Sequence, residues 1–237
     1  MITTTKGIVI RATKFGDSSA IVNIFTEQYG LLGFLIPSVY KNKGFIKPSH
    51  LQLLNVLDLT FIYNSTKNIH RIKEIQCTFH FNHPSFNQKA TYNIICETLL
   101  QTLKSNEQNN SLFTYLLNYQ LPLLNTEGHF WQIPEALVNI LQYYGCAPYS
   151  ETYQDNFQLD IQNGIFTHNY KNIKSKNIAT EPISNCIYKI IKSETVHLIA
   201  DKNLRHLVIE TLILYYQCHI NDTFGLRSRE ILTELTQ

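Results

Sequence analysis

The sequence predicts an α+β chain: a five-stranded barrel of the OB type at the front, an all-helical domain behind it, and a small loop or hairpin inserted among the helices. Three observations carry that expectation. Strand signals crowd the front, the hydrophobic period changes from two to about 3.6 after His83-Pro84, and the charge changes sign at nearly the same place. Residues 1–80 hold nine Lys/Arg against four Asp/Glu, whereas residues 81–237 hold eleven against fourteen, so a formal total of +2 conceals a basic front and a mildly acidic back. Domains are therefore expected at 1–82 and 83–237, with the insertion at about 146–182.

The strands are read from β-branched and aromatic runs separated by turn formers. Lys6–Arg11, Ala20–Phe25, Leu31–Ile36, Leu51–Tyr63 and His70–Phe81 qualify. Gly16-Asp17 and Tyr29-Gly30 mark the first two turns, Asn42-Lys43-Gly44 with Pro48 a longer loop, and Asn64-Ser65 the last. Strands this close, with no helix between the early ones, fit a small closed barrel.

Ser85 followed by Gln88 forms a capping-box signature, and Tyr92, Ile95, Cys96, Leu99 and Leu103 then recur on one helical face. Phe113, Leu116 and Leu117 imply a second helix. Ile133, Leu137, Leu141 and Tyr144 imply a third, with Pro134 near its start and Gly145 at its end. Leu204, Leu207, Val208, Leu212, Tyr215 and Tyr216 mark a strongly apolar helix, and Ile231, Leu232 and Leu235 a short last one. Pro148, Asn163-Gly164 and Pro182 punctuate the insertion, where Leu159–Phe166 reads as a hairpin around Asn-Gly.

An apolar fraction of 44% is ample for packed cores throughout. No apolar run has the roughly 18 residues of a membrane span, and the N-terminus lacks the basic-then-apolar order of a signal peptide, so a soluble, intracellular, cytoplasmic protein is expected. Cys77, Cys96, Cys146, Cys186 and Cys218 are widely spaced without a C-x-x-C pair, which argues for reduced thiols rather than disulfides or a cysteine-built zinc site. His80 and His83 have the spacing of a metal pair but sit at a strand end before Pro84 with no third ligand nearby. Nucleophile elbow, phosphate-cradling loop and dinucleotide fingerprint are all missing, so binding rather than catalysis is expected, with no cofactor.

A small β module with surplus cations suits a polyanion, because neutralising phosphates releases condensed counterions. Arg11 and Lys14 stand at the end of the first strand; Lys41, Lys43 and Lys47 crowd one loop with Tyr40 and Phe45 interleaved. Cations with aromatics between them serve sequence-tolerant single-strand binding, since every base offers a face to stack on.

Several stretches resemble the bacterial RecO family of DNA repair proteins. Lys6–Arg11, Gly16-Asp17-Ser18-Ser19, Ile21–Thr26 and Tyr29-Gly30 match its strand ending in Arg, its short turn, its strand ending in Phe-Thr and its Gly before the third strand. Tyr40-Lys41-Asn42-Lys43-Gly44 falls where its basic loop belongs. Leu141–Pro148 (LQYYGCAP) and Gly225-Leu226-Arg227-Ser228 extend the likeness to the back of the chain.

The resemblance implies an OB-fold, a helical C-terminal domain, and binding of single- and double-stranded DNA with annealing of complementary strands. It further implies action with RecR, in some pathways RecF, contact with the single-strand-binding protein, and help in loading RecA. By position it supports Arg11, Lys14, Lys41, Lys43 and Lys47 as DNA-contacting residues, and association with the nucleoid. Many relatives carry a four-cysteine zinc site in the insertion, where this chain offers only Cys146 and Cys186, so no zinc is expected. The acidic, apolar tail of a single-strand-binding protein needs an apolar groove with a cation, for which Lys202, Arg205 and Arg227 are candidates. An RNA-binding OB protein is the alternative from a different class, and a metal-dependent hydrolase on His80 and His83 another.

Overall fold

Alternating apolar residues at the front of the chain build one six-stranded mixed sheet: β1 (Ile2–Phe15), β2 (Ser19–Thr26), β3 (Gly30–Ile36), β4 (Val56–Ile62), β5 (Ile69–His70) and β6 (Ile72–Phe79). The computed structural model describes residues 1–41, 46–82, 84–125, 132–169, 174, 177–194 and 201–228. Strands pair in the order β5-β3-β2-β1-β4-β6. β5 runs parallel to β3 and β6 antiparallel to β4, and Arg71 alone separates β5 from β6. Both edges of the sheet thus belong to one stretch, Ile69–Phe79, which is the pairing of a five-stranded OB barrel whose last strand is broken at one residue.

The alternation behind this sheet is plain in β2, where Ala20, Val22 and Ile24 are buried and Ile21 and Asn23 only half so. With Val9, Leu32, Phe34, Ile36, Leu57, Leu59 and Phe61 they fill the barrel, and Val39, Ile46 and Leu51 from the loop after β3 join that core. Gly7 permits the walls to meet there: a Cβ on it would stand 2.5 Å from Ile24 Cγ2. Strand β1 runs well beyond the expected Lys6–Arg11 because β2 offers it partners as far as Phe15 opposite Ser19, with a bulge between Val9 and Arg11. Leu51–Leu54, expected as the start of a strand, is instead the end of a 3₁₀ turn over Pro48–Leu51 followed by Leu54 at φ +63°. The β1 bulge holds Leu54 in that unfavourable region, its N–H donating to Val9 O (2.7 Å) while Val9 N–H donates to Asn55 O (3.0 Å).

Ile8, Phe25 and Val56 share the outer face of the barrel by register, yet all are fully buried. Helices α1 (Phe86–Thr102) and α2 (Asn110–Tyr115), the latter continued through a π turn into α3 (Leu121–Asn125), belong to the same compact unit, Met1–Glu127. Phe113 meets Phe25 edge-on at 5.4 Å, and Tyr92 lies 4.4 Å from Phe81. Each such side chain taken from water contributes about 1.5–3 kcal/mol. The capping box forms as expected, Gln88 N–H donating to Ser85 Oγ (3.2 Å) and Ser85 N–H to Gln88 Oε1 (2.8 Å). Strand gives way to helix at the expected place, but the compact unit carries its first helices with it.

The second unit, Gly128–Gln237, contains α4 (Gln132–Tyr143), the hairpin β7 (Gln158–Asp160) and β8 (Ile165–Thr167), α5 (Glu181–Ile191) and α6 (Lys202–His219). Gly145 at φ +69° ends α4, with Cys146 N–H donating to Leu141 O at 3.1 Å. Helix α5 goes beyond the sequence reading. Pro182 sits in its first turn, where no amide hydrogen is needed, rather than marking a loop. The hairpin forms where expected and turns through residues 161–164: buried Asp160 accepts from the N–H groups of Gln162 (3.0 Å) and Asn163 (3.2 Å), and Gly164 takes φ +67°. The expected last helix on Ile231, Leu232 and Leu235 lies outside the described residues. Among the described residues no helix is long and apolar enough to cross a membrane.

Candidate nucleic-acid interface

Strand β4 pairs with β1 only over Ile2–Ile8, so Arg11–Phe15 extend past it with β2 on one side and, among the described residues, no strand on the other. All five residues are exposed. Together with β2 and β3 they form a blade whose two faces are fixed by register. Ala12 stands opposite Val22 and Lys14 opposite Ala20, and both partners point into the barrel core. Arg11, Thr13 and Phe15, opposite Asn23, Ile21 and Ser19, therefore share the reverse face.

On the inner face Lys14 Nζ lies 5.8 Å from the centre of the Tyr40 ring. Tyr40 is 45% exposed, and its N–H donates to Ser18 O (3.2 Å), which ties the loop after β3 to the β1–β2 turn. Lys41 follows it into solvent, its N–H on Ser38 O at 3.1 Å. Buried Val39 and Ile46 join the barrel core, while Tyr40 and Lys41 face water. Lys47 is exposed just before the Pro48–Leu51 turn. Lys43 and Phe45 lie outside the described residues.

The structure thus brings Lys14 and Tyr40 together with Lys41 adjoining, and sets Arg11 on the opposite face. Spacing explains it: residues three apart on a strand point opposite ways. None of Arg11, Lys14, Lys41 or Lys47 forms an ion pair with a described acidic residue, whereas Lys6 is engaged by Asp58 at 3.1 Å. Unpaired, exposed cations are available to phosphates, and an aromatic ring among them offers a stacking face. Sequence reasoning missed Phe15, 54% exposed on the reverse face, because polar Thr13 and Lys14 mask the continuing strand period. It also passed over Lys67, Arg71 and Lys73, exposed around the break between β5 and β6, where a charge count by element finds them.

In the second unit Lys202 and Arg205 occupy the first turn of α6, capped by Asp201, which accepts from Asn203 N–H at 2.8 Å. Burial pushes the Arg205 guanidinium pKa down, with the Asp201 charge opposing. Arg227 lies beyond Phe224, which stacks at 4.4 Å on Tyr216 near the other end of that helix. His80 is exposed after β6, and His83 lies outside the described residues. Among the described residues no three His, Cys, Asp or Glu side chains gather as metal ligands. Burial raises the pKa of both Cys146 and Cys186, which keeps them as thiols.

Residues 1–81 match the family model described as Recombination protein O N terminal. Over its whole length the chain is similar to proteins named DNA repair protein RecO. One from Phocaeicola vulgatus is 25% identical over 99% of both chains, one from Flavobacterium psychrophilum 26% over 98% of both, and one from Chloroherpeton thalassium 24% over 99% of both.

Proposed function

We propose that this chain, a member of the RecO family, is a DNA repair and recombination mediator that binds single- and double-stranded DNA through its barrel and anneals complementary strands. In this reading it also acts with RecR, and in some settings RecF, to help load RecA onto DNA covered by single-strand-binding protein. The observation that carries the reading is the uncovered rim of an OB barrel bearing Lys14, Tyr40 and Lys41 without an ion pair to any described acidic residue. Annealing makes and breaks no covalent bond. It needs phosphate affinity, tolerance of any sequence, and enough reversibility for bases to search, which exposed cations and stacking supply together. The more acidic second unit suits protein partners better, and Lys202 and Arg205 are the cations proposed for the acidic tail of the single-strand-binding protein.

The test is the salt dependence of single-strand binding. Replacing Lys14, Lys41 and Lys47 together with Glu should flatten the slope of log affinity against log salt by about 0.7 per lost contact, roughly 2 in all, and slow annealing. The melting temperature should hold, since these charges are exposed. An unchanged slope removes this rim from the DNA site. A pull-down with the last ten or so residues of the host's single-strand-binding protein tests the partner; capture of structured RNA in preference to DNA would favour an RNA-binding module instead.

A further inference from the structure

The blade formed by Arg11–Phe15, Ser19–Asn23 and the facing part of β3 is partly open along its reverse side and, on its inner side, open only at the rim, where Ala12, Lys14 and Tyr40 are exposed while Ala20, Val22, Phe34 and Ile36 stay in the core; the rim and the reverse side carry similar equipment. The inner side presents Lys14 and Tyr40. The reverse side presents Arg11 and Phe15, four residues apart on one strand and therefore about 13 Å apart, with a low row of Thr13, Ile21 and Leu35 between them. Ile21 and Leu35 are only half exposed, so this row is a floor and not a protruding apolar ridge. Arg11 has no described acidic partner, and Phe15 gives more than half its surface to water.

We infer that the blade holds two single strands of nucleic acid at once, one on each face, with Lys14 and Tyr40 serving the first and Arg11 and Phe15 the second. The inference rests on the DNA-binding reading and extends it to stoichiometry. Its physical basis is repetition of the same chemistry, one guanidinium or ammonium and one open ring, on two surfaces that a single short strand cannot share without turning around the edge of β1. A peptide partner is favoured less by charge than a polyanion, since the unit around this face carries eleven Lys/Arg against seven Asp/Glu. Two strands seated on opposite faces of one sheet are held close while neither has its bases covered by the other's site. That is the arrangement annealing needs before pairing begins.

The experiment uses the full chain and two non-complementary oligothymidylates of about 12 nucleotides, within the span one OB barrel covers, one labelled with an energy donor and one with an acceptor. Sedimentation of the complex counts chains and strands. The inference expects two strands on one chain with energy transfer between them, peaking at one chain per two strands. R11E/F15A should reduce occupancy to one strand and abolish transfer, and K14E/Y40A should do the same from the other side. Both should slow annealing at least tenfold, while the doubly substituted chain binds neither strand. If F15A lowers the melting temperature, R11E paired with T13E tests the reverse face instead. One strand per chain in the wild type, weakened by both sets of substitutions, means a single strand wraps the edge and overturns the inference while the DNA-binding reading stands. Two strands found only on two chains also overturns it. A wild-type chain that binds neither oligonucleotide overturns both readings.

Discussion

The two compact units treat their cations differently. In Met1–Glu127 Lys6 and Lys104 are paired with Asp58 and Glu107, but a surplus of basic residues meets a sheet that outruns its cover, and Arg11, Lys14, Lys41 and Lys47 stand in water with no ion pair to a described acidic residue. In Gly128–Gln237, with nine Lys/Arg against eleven Asp/Glu, Lys192 is held by Glu151 at 2.7 Å and Arg205 is half-buried beside Asp201. The contrast teaches that charge count alone does not make a polyanion site. What matters is a cation left unpaired on an exposed element beside an open ring, as Lys14 and Lys41 stand around Tyr40 at the barrel rim among the described residues.

The strongest way to break this comparison is to separate the units. Residues 1–127 expressed alone should keep single-strand binding, and residues 128–237 should bind at least about 100-fold more weakly at physiological salt, because their charge balance offers no cationic stripe. Fluorescence anisotropy with labelled oligonucleotide, after circular dichroism has shown each fragment folded, decides it. A fragment ending at residue 82 would instead expose Ile8, Phe25 and Val56, and should aggregate.

Next in size is the helical cover. Phe25→Ala removes a fully buried ring packed on Phe113 and should cost about 3–5 kcal/mol of the first unit's stability, read by denaturant unfolding with little change in the second unit's transition. Smaller is Gly164→Ala. It places a methyl 2.7 Å from the Tyr215 hydroxyl at a residue with φ +67°, and should destabilise the second unit by roughly 1–3 kcal/mol. Tyr215→Phe should recover part of that loss in the double variant, although alone it gives up the hydrogen bond to Cys146 O, worth about 1 kcal/mol.

The smallest effect is the Lys192–Glu151 pair. Lys192 donates to the Glu151 carboxylate, which holds the carboxyl below its ordinary range, so whatever stability it supplies is present at neutral pH and fades as pH falls through that lowered value. The Lys192 ammonium is raised for the same reason, and its share fades only as pH rises through its elevated value. Both groups are exposed, so Lys192→Ala should shift the thermal midpoint barely at pH 7 and not at all in strong acid.

Much of this was legible before the structure. Strand alternation, the Ser85–Gln88 box and the Gly145 stop all rest on local periods and caps, and local signals read well in sequence. What escaped depends on distant partners. The strand period past Arg11 is hidden by Thr13 and Lys14, and only β2 sustains it. Leu51–Leu54 looks like strand but is bent by Pro48 and captured by the bulge of β1. Pro182 reads as punctuation until a helix is seen to start under it. The basic loop was visible as composition, yet that Arg11 and Lys14 lie on opposite faces follows from register alone.

The closure of the sheet through Ile69–Phe79 also governs how this protein is made. A ribosome delivers β1, β2 and β3 long before the segment that pairs with β3 on one side and β4 on the other. From Ile36 to His70, at about 5–20 residues per second, the growing chain waits roughly 2–7 s with β3 carrying an open, apolar edge. The covering helices arrive later still. During synthesis the nascent barrel is thus a half-finished sheet seeking a strand, and slow translation of this stretch would lengthen the interval in which a chaperone, or another nascent chain, can supply one.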